Sequence, residues 1–144
     1  MDTAFEYAKT NPVAQETEYP YTGTDDKCND PKPSIPVTIT DYDVVPVNSA
    51  DALTAAVTKG PVSVAVNAGS LGWQFYSSGI LKKFCGTSLD HGVVVVGYGK
   101  DYWIVRNSWG VSWGESGYVR VSRKAGDTGK GVCGIQMAPS RPLI

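Results

Sequence analysis

Residues Asp90 to Gly110 read DHGVVVVGYGKDYWIVRNSWG, and the reading of this stretch decides the fold. The only histidine of the molecule, His91, stands immediately before an apolar run, Val93 to Val96. A glycine-rich turn with Gly97 and Gly99 follows, then a second apolar run, Tyr102 to Val105, and the stretch reaches Asn107. Two β-branched runs joined by Gly, Lys and Asp predict an antiparallel hairpin. In such a hairpin the start of the first strand lies beside the end of the second. His91 and Asn107 hold those two places. A lone imidazole beside a side-chain amide suggests a general base with its orienting partner.

Bulk composition sets the frame. The chain has 144 residues, 42% hydrophobic and 19% charged, enough for one ordinary domain with its own core and unlike a disordered segment. Sixteen glycines and nine prolines exceed their usual joint share of about 12%, which favours a turn-rich, largely β structure. A net charge of −1 with no basic stripe argues against nucleic acid as a partner. The longest apolar runs are far too short to span a membrane. No secretory signal is read at Met1, which leads straight into DTAFEYAK.

Outward from the hairpin, the elements are short. Asp2 to Lys9 carries Ala4, Phe5 and Ala8 at helical spacing and stops at Asn11-Pro12. That helix has few evident partners for its apolar face within the chain. Residues 19–36 hold four prolines and Cys28 and read as an extended surface loop. Val37 to Val47 returns to strand-like residues. Ser49 or Asn48 caps a helix over Ala50–Thr58, which ends at Lys59-Gly60-Pro61. Val62 to Val66 reads as a buried strand, 67–80 as a helical turn and a short strand, and Gly117 to Ser122 as a strand. A glycine-rich loop over Gly126–Gly131 leads to Cys133 and a tail containing Pro139 and Pro142. The whole is one helical piece, an irregular connection and a mostly antiparallel β unit.

Three further patterns fail on context. Gly110-Val-Ser-Trp-Gly114 matches a serine-hydrolase elbow, but that elbow needs a helix after it and a histidine later in the chain. Gly129-Lys130 is followed by Gly131 where a phosphate loop needs Ser or Thr. Cys28, Cys85, Cys133 and His91 lack metal-ligand spacing, so neither metal nor cofactor is expected. Singly, His91 and Asn107 decide nothing, since a lone histidine is commonly structural and Asn before Ser commonly ends a strand.

Together the motifs resemble the papain family of cysteine peptidases, cathepsin L-like members included. The residues that carry the resemblance are Asp90-His91-Gly92, Gly97-Tyr98-Gly99, Tyr102-Trp103, Arg106 to Gly110, Trp113-Gly114 and Gly117-Tyr118. Gly60 to Val64, Tyr19-Pro20-Tyr21 and Gly131 to Ile135 support it, and Met1 to Phe5 is similar to the middle of a mature member. The resemblance implies an α+β fold: a β-rich, antiparallel, barrel-like right domain plus one helix from the helical left domain. It divides the chain into a helical remnant (1–22), a connecting loop (23–36) and the β-rich domain carrying histidine and asparagine (37–144).

The resemblance also implies roles. His91 pairs with a cysteine thiolate and later protonates the leaving amine, and Asn107 holds the other imidazole nitrogen. Trp109 shields that bond and borders bound substrate. A thiolate beside His⁺ has a lowered pKa and attacks a peptide carbonyl to give an acyl-enzyme. Ala65, Leu89, Gly92 and Ala138 line the pocket for the side chain two places before the cleaved bond, accepting a bulky apolar group. Asp90 contributes backbone near the leaving group. Cys85 and Cys133 match a bridging pair whose 48-residue separation is worth about 4 kcal/mol on the chain-entropy model.

One departure matters. The family's nucleophile lies in a C-G-S-C-W-type segment well over a hundred residues before the histidine, and neither that segment nor the oxyanion-hole glutamine occurs here. Cys28 lies 63 residues before His91, beside Asp26 and Asp30, carboxylates that raise a thiol pKa. It matches instead a half-cystine whose partner lies upstream. The expectation is therefore the C-terminal portion of an endopeptidase, inactive alone. Its expected partners are polypeptide substrates, the missing cysteine-bearing segment and cystatin-like inhibitors. The competing expectation is a non-catalytic homologue that binds peptides, inhibitors or a protease. Family and disulfides together imply a lysosomal, vacuolar or secreted location.

Overall fold

The structure is a computed structural model that describes residues 1–27, 32–124 and 129–144. Cys28, Asp30 and the first part of the glycine-rich loop (126–128) lie outside the described residues. The chain forms two compact units: Asp43–Arg141 with Met1, and Asp2–Tyr42 with Pro142–Ile144.

In the smaller unit α1 spans Asp2–Thr10. Its apolar face is expected to be short of partners, and Ala8 is the one residue of the helix that is buried. Phe5 stacks on Tyr42 at 5.9 Å between ring centroids. Lys9 bridges Glu6 and Asp41 at 3.5 and 3.2 Å. Within the proline-rich segment Glu18 accepts hydrogen bonds from the backbone N–H and the hydroxyl of Ser34.

The elements that follow are β1 (Asp41–Val44), α2 (Ala50–Lys59), β2 (Val62–Val66), α3 (Leu71–Gln74) and β3 (Ile80–Leu81). After them come β4 (His91–Tyr98), β5 (Tyr102–Arg106), β6 (Tyr118–Ser122), a 3-10 turn (Val132–Gly134) and β7 (Ser140–Leu143). The fold is α+β. Strand order is β1-β7-β2-β4-β5-β6-β3. β2, β4, β5 and β6 pair antiparallel in sequence, whereas β3 runs parallel to β6 at Ile80–Arg120 and Leu81–Val121. The sheet is thus mixed, with one short parallel edge on an otherwise antiparallel body.

Period-2 alternation builds the core. Val62, Val64 and Val66 point inward from β2, Val93 and Val95 from β4, Trp103 and Val105 from β5, and Val119 and Val121 from β6. Each fully buried side chain of this size contributes about 1.5–3 kcal/mol. Ser49 caps α2 by accepting from Ala52 N–H at 3.1 Å, and the helix buries Leu53, Ala56 and Val57. The Arg123 guanidinium lies over the Tyr98 and Trp103 rings and donates to Gly99 O and Thr54 Oγ1, fastening the hairpin tip to α2.

Two features depart from the sequence reading. The register of β4 on β5 shifts between Val95 and Gly97, so Val96 is an extra residue, a β-bulge; it is 39% exposed although it sits in an unbroken valine run. The tail forms β7, pairing with β2 at Ser63–Ser140. Pro142 falls beyond that point, where no N–H is required of it.

Candidate active site

The ladder delivers the two central side chains. His91 opens β4 opposite Val66 of β2, and Val94 pairs with Arg106 of β5. Asn107 therefore comes level with Val93, on the same sheet face as His91 and two residues along. That diagonal is within reach of two long side chains. His91 Nε2 and Asn107 Oδ1 are 2.8 Å apart.

The direction of this bond follows from a second one. The Ser108 backbone N–H donates to the same Oδ1 at 2.9 Å, which identifies that atom as the amide oxygen. An oxygen accepts, so Nε2 carries the hydrogen. The lone pair of the neutral ring is then on Nδ1, free to take a proton, and protonation there gives an imidazolium still held at Nε2. Asn107 is itself fixed: its N–H donates to Gly117 O at 3.0 Å, and the residue is only 8% exposed. Its Nδ2 is buried and has no partner among the described residues.

An aromatic row backs the pair. The Trp109 ring lies 5.2 Å from the imidazole, Trp113 stands edge-on to Trp109 at 5.4 Å, and Trp113 stacks on buried Trp73 at 5.8 Å. Trp113 Nε1–H donates to Gln74 O at 3.4 Å. The loop carrying these rings needs Gly114, whose φ is +57°. A Cβ there would come within 2.6 Å of Tyr118 O and 3.0 Å of the Tyr76 ring. An apolar lid of this kind lowers the local dielectric and strengthens the bond beneath it.

Asp90, expected to contribute backbone, also uses its carboxylate. The side chain accepts from Ala68 N–H at 2.6 Å, Gly69 N–H at 3.0 Å and Asn67 Nδ2 at 3.3 Å. Those backbone donors, with help from His91, hold its pKa below the ordinary carboxylate value. Ala65 and Gly92 face one another across β2 and β4, and Ala138 precedes Ser140, which pairs with Ser63 of β2, by two residues. Leu89 lies over Gly134 beside Met137. Cys85 and Cys133 form a disulfide with a Cα–Cα distance of 5.1 Å, so neither is a free thiol. The sequence reading includes Ser108 only within the Arg106 to Gly110 motif and does not single out Asn67; nothing local marks an Asn after a strand or a backbone N–H as part of a site.

The Papain family cysteine protease model matches residues 1–143. The chain belongs to the papain family. It is 49% identical to the KDEL-tailed cysteine endopeptidase CEP2 of Arabidopsis thaliana, with 99% of this chain and 41% of that protein covered. To the senescence-specific cysteine protease SAG12 of the same plant it is 47% identical, covering 100% of this chain and 43% of that one. The cysteine protease CMS1MS2 of Carica candamarcensis, solved with E-64, superposes with a TM-score of 0.92 at 36% identity, over 99% of this chain and 67% of that one. Bromelain from Ananas comosus, solved with the E64 inhibitor, gives 0.90 at 39% identity over 99% and 68%. The chain thus spans about two-fifths of these two papain-family relatives from Arabidopsis.

Proposed function

We propose that this chain is the histidine- and asparagine-bearing part of a cysteine endopeptidase whose thiolate comes from a segment outside these residues. The observation that carries the reading is the bond from His91 Nε2–H to an amide oxygen pinned by Ser108, which leaves Nδ1 as the proton acceptor. A thiol placed against Nδ1 transfers its proton there, and the resulting thiolate–imidazolium pair is stabilised because Asn107 already holds the far nitrogen. The thiolate attacks a peptide carbonyl, and the carbon–nitrogen bond breaks as Nδ1–H protonates the leaving amine. Water, deprotonated by the same nitrogen, then hydrolyses the thioester and restores the thiol. With Cys85 and Cys133 joined to each other, the chain alone turns over no peptide on this reading.

Supporting the pocket assignment, Ala65 and Gly92 are direct cross-strand neighbours and offer small walls for an apolar side chain. The disulfide fits an oxidising compartment, whether lysosomal, vacuolar or extracellular. Polypeptides are the substrates, and cystatin-like inhibitors are expected to compete for the same cleft. The test is expression of the whole peptidase, with its upstream cysteine segment, beside the same protein carrying His91→Ala. Peptide turnover should fall at least about 10³-fold, the scale of a lost general acid–base. Turnover that survives the substitution sinks His91 as the acid–base group, and no turnover by the unsubstituted whole protein leaves a binding module in its place.

A further inference from the structure

We infer that Asn67 is a positioning residue that sets the wall of the substrate pocket by holding residues 86–90 in place. The inference rests on the peptidase reading above, in which Leu89 forms part of that wall. Asn67 follows the last residue of β2, and every polar group of its amide is used. Oδ1 accepts from Gly86 N–H at 3.0 Å, and Nδ2 donates to Ser88 O at 2.8 Å and Asp90 Oδ2 at 3.3 Å. Its own backbone N–H donates to Cys133 O at 2.8 Å. One residue thus touches the neighbour of Cys85, the carbonyl of Cys133 and the residue before His91.

The geometry shows why this matters for Leu89 in particular. The segment from Thr87 to Leu89 arches over Gly134: a Cβ on that glycine would lie 2.7 Å from Leu89 Cδ2, 3.1 Å from Met137 Sδ and 3.5 Å from Thr87 Cα. Nothing in the β ladder reaches this arch, because β4 begins only at His91. The disulfide anchors its start at Cys85, and the Asp90 carboxylate on Ala68 and Gly69 anchors its end. Between them, Gly86 and Ser88 are both held by the Asn67 amide. His91 has separate support, through Val66 on β2 and Asn107. Loss of the amide should therefore loosen Leu89 while sparing the acid–base pair, and damage substrate choice more than turnover.

The experiment compares the whole peptidase with its Asn67→Ala and Asn67→Asp variants on two peptides, one with Leu and one with Ala two places before the cleaved bond. For N67A, kcat/KM on the Leu peptide should fall about tenfold, the scale of an altered apolar pocket, mostly through KM. The Ala peptide should change less than about twofold. N67D keeps the acceptor for Gly86 but loses both donors and sets a carboxylate against Asp90; it should lose at least as much on the Leu peptide as N67A. Equal losses on both peptides, or none on either, overturn the proposal, as does full rescue by N67D. A wild-type protein that cleaves neither peptide sinks the peptidase reading and this proposal with it. Wild-type turnover with undiscriminating variants sinks this proposal alone.

Discussion

The β4–β5 hairpin and the 84–90 loop both converge on His91, and they are held by opposite means. The hairpin is held by backbone ladder bonds on both sides, with Arg123 fastening its tip. The loop has backbone bonds only at its ends, from Gly72 N–H to Phe84 O and from Asp90 N–H to Val66 O, both at 3.0 Å. Between them its shape depends on a disulfide, one asparagine, one aspartate and one glycine. The His91–Asn107 bond resides in the redundant region, and the proposed pocket wall in the region held by single contacts.

Reducing the disulfide, or replacing Cys133 with Ser, is the harshest way to break this comparison. It should cost about 4 kcal/mol of stability, the chain-entropy value for this separation, read as a lower denaturation midpoint. Below that midpoint, amide exchange should rise around Gly86 while the β4–β5 amides stay protected. Equal exchange in both would show that the hairpin leans on the loop. Asn107→Ala in the whole peptidase should next lower kcat about ten- to a hundredfold, the worth of a charge-assisted hydrogen bond of about 1.5–3 kcal/mol, with KM little changed.

Gly134→Ala puts a methyl group 2.7 Å from Leu89 Cδ2 at a φ of +78°. It should cost about 1–3 kcal/mol through left-handed backbone and overpacking and shrink the pocket without touching the His91–Asn107 bond. A KM change for bulky side chains with unaltered kcat on small ones would sharpen the comparison.

The smallest effect concerns acid. Glu115 pairs with Arg120 at 2.6 Å and accepts from Gly79 N–H at 2.9 Å. These bonds, that to Arg120 foremost, pull its pKa from 4.5 to about 2. Because the folded value is the lower one, this stabilisation is present above pH 4.5 and is lost as pH falls toward 2. Glu115→Gln should flatten that part of a stability-versus-pH curve, and an unchanged slope would remove the assignment.

The same contrast governs what the amino-acid sequence discloses by itself. Hairpin, β2, α2 with its Ser49 cap and the short α3 were legible because each depends on a local pattern or a cap. The juxtaposition of His91 with Asn107 was legible because antiparallel pairing brings those positions together whatever lies between. The Val96 bulge was not, since five apolar residues in six positions look alike whether or not one is extra. β7 was hidden by Pro142, and the parallel β3–β6 edge by its length of two residues. Tyr42 as the partner of Phe5 required a contact across 37 positions of chain. The Asn67–Asp90 clasp escaped for the same reason: its five side-chain bonds join residues some twenty positions apart, and no periodicity announces them.

The Ser108 N–H on the Asn107 oxygen has a spectroscopic corollary. It prevents the amide from flipping end for end, so the imidazole proton at Nε2 has a single, permanent acceptor and should exchange slowly with solvent. With one histidine in 144 residues, a nitrogen-15 spectrum of labelled protein contains a single pair of imidazole resonances. The site can therefore be observed by magnetic resonance, tautomer included, in this chain by itself.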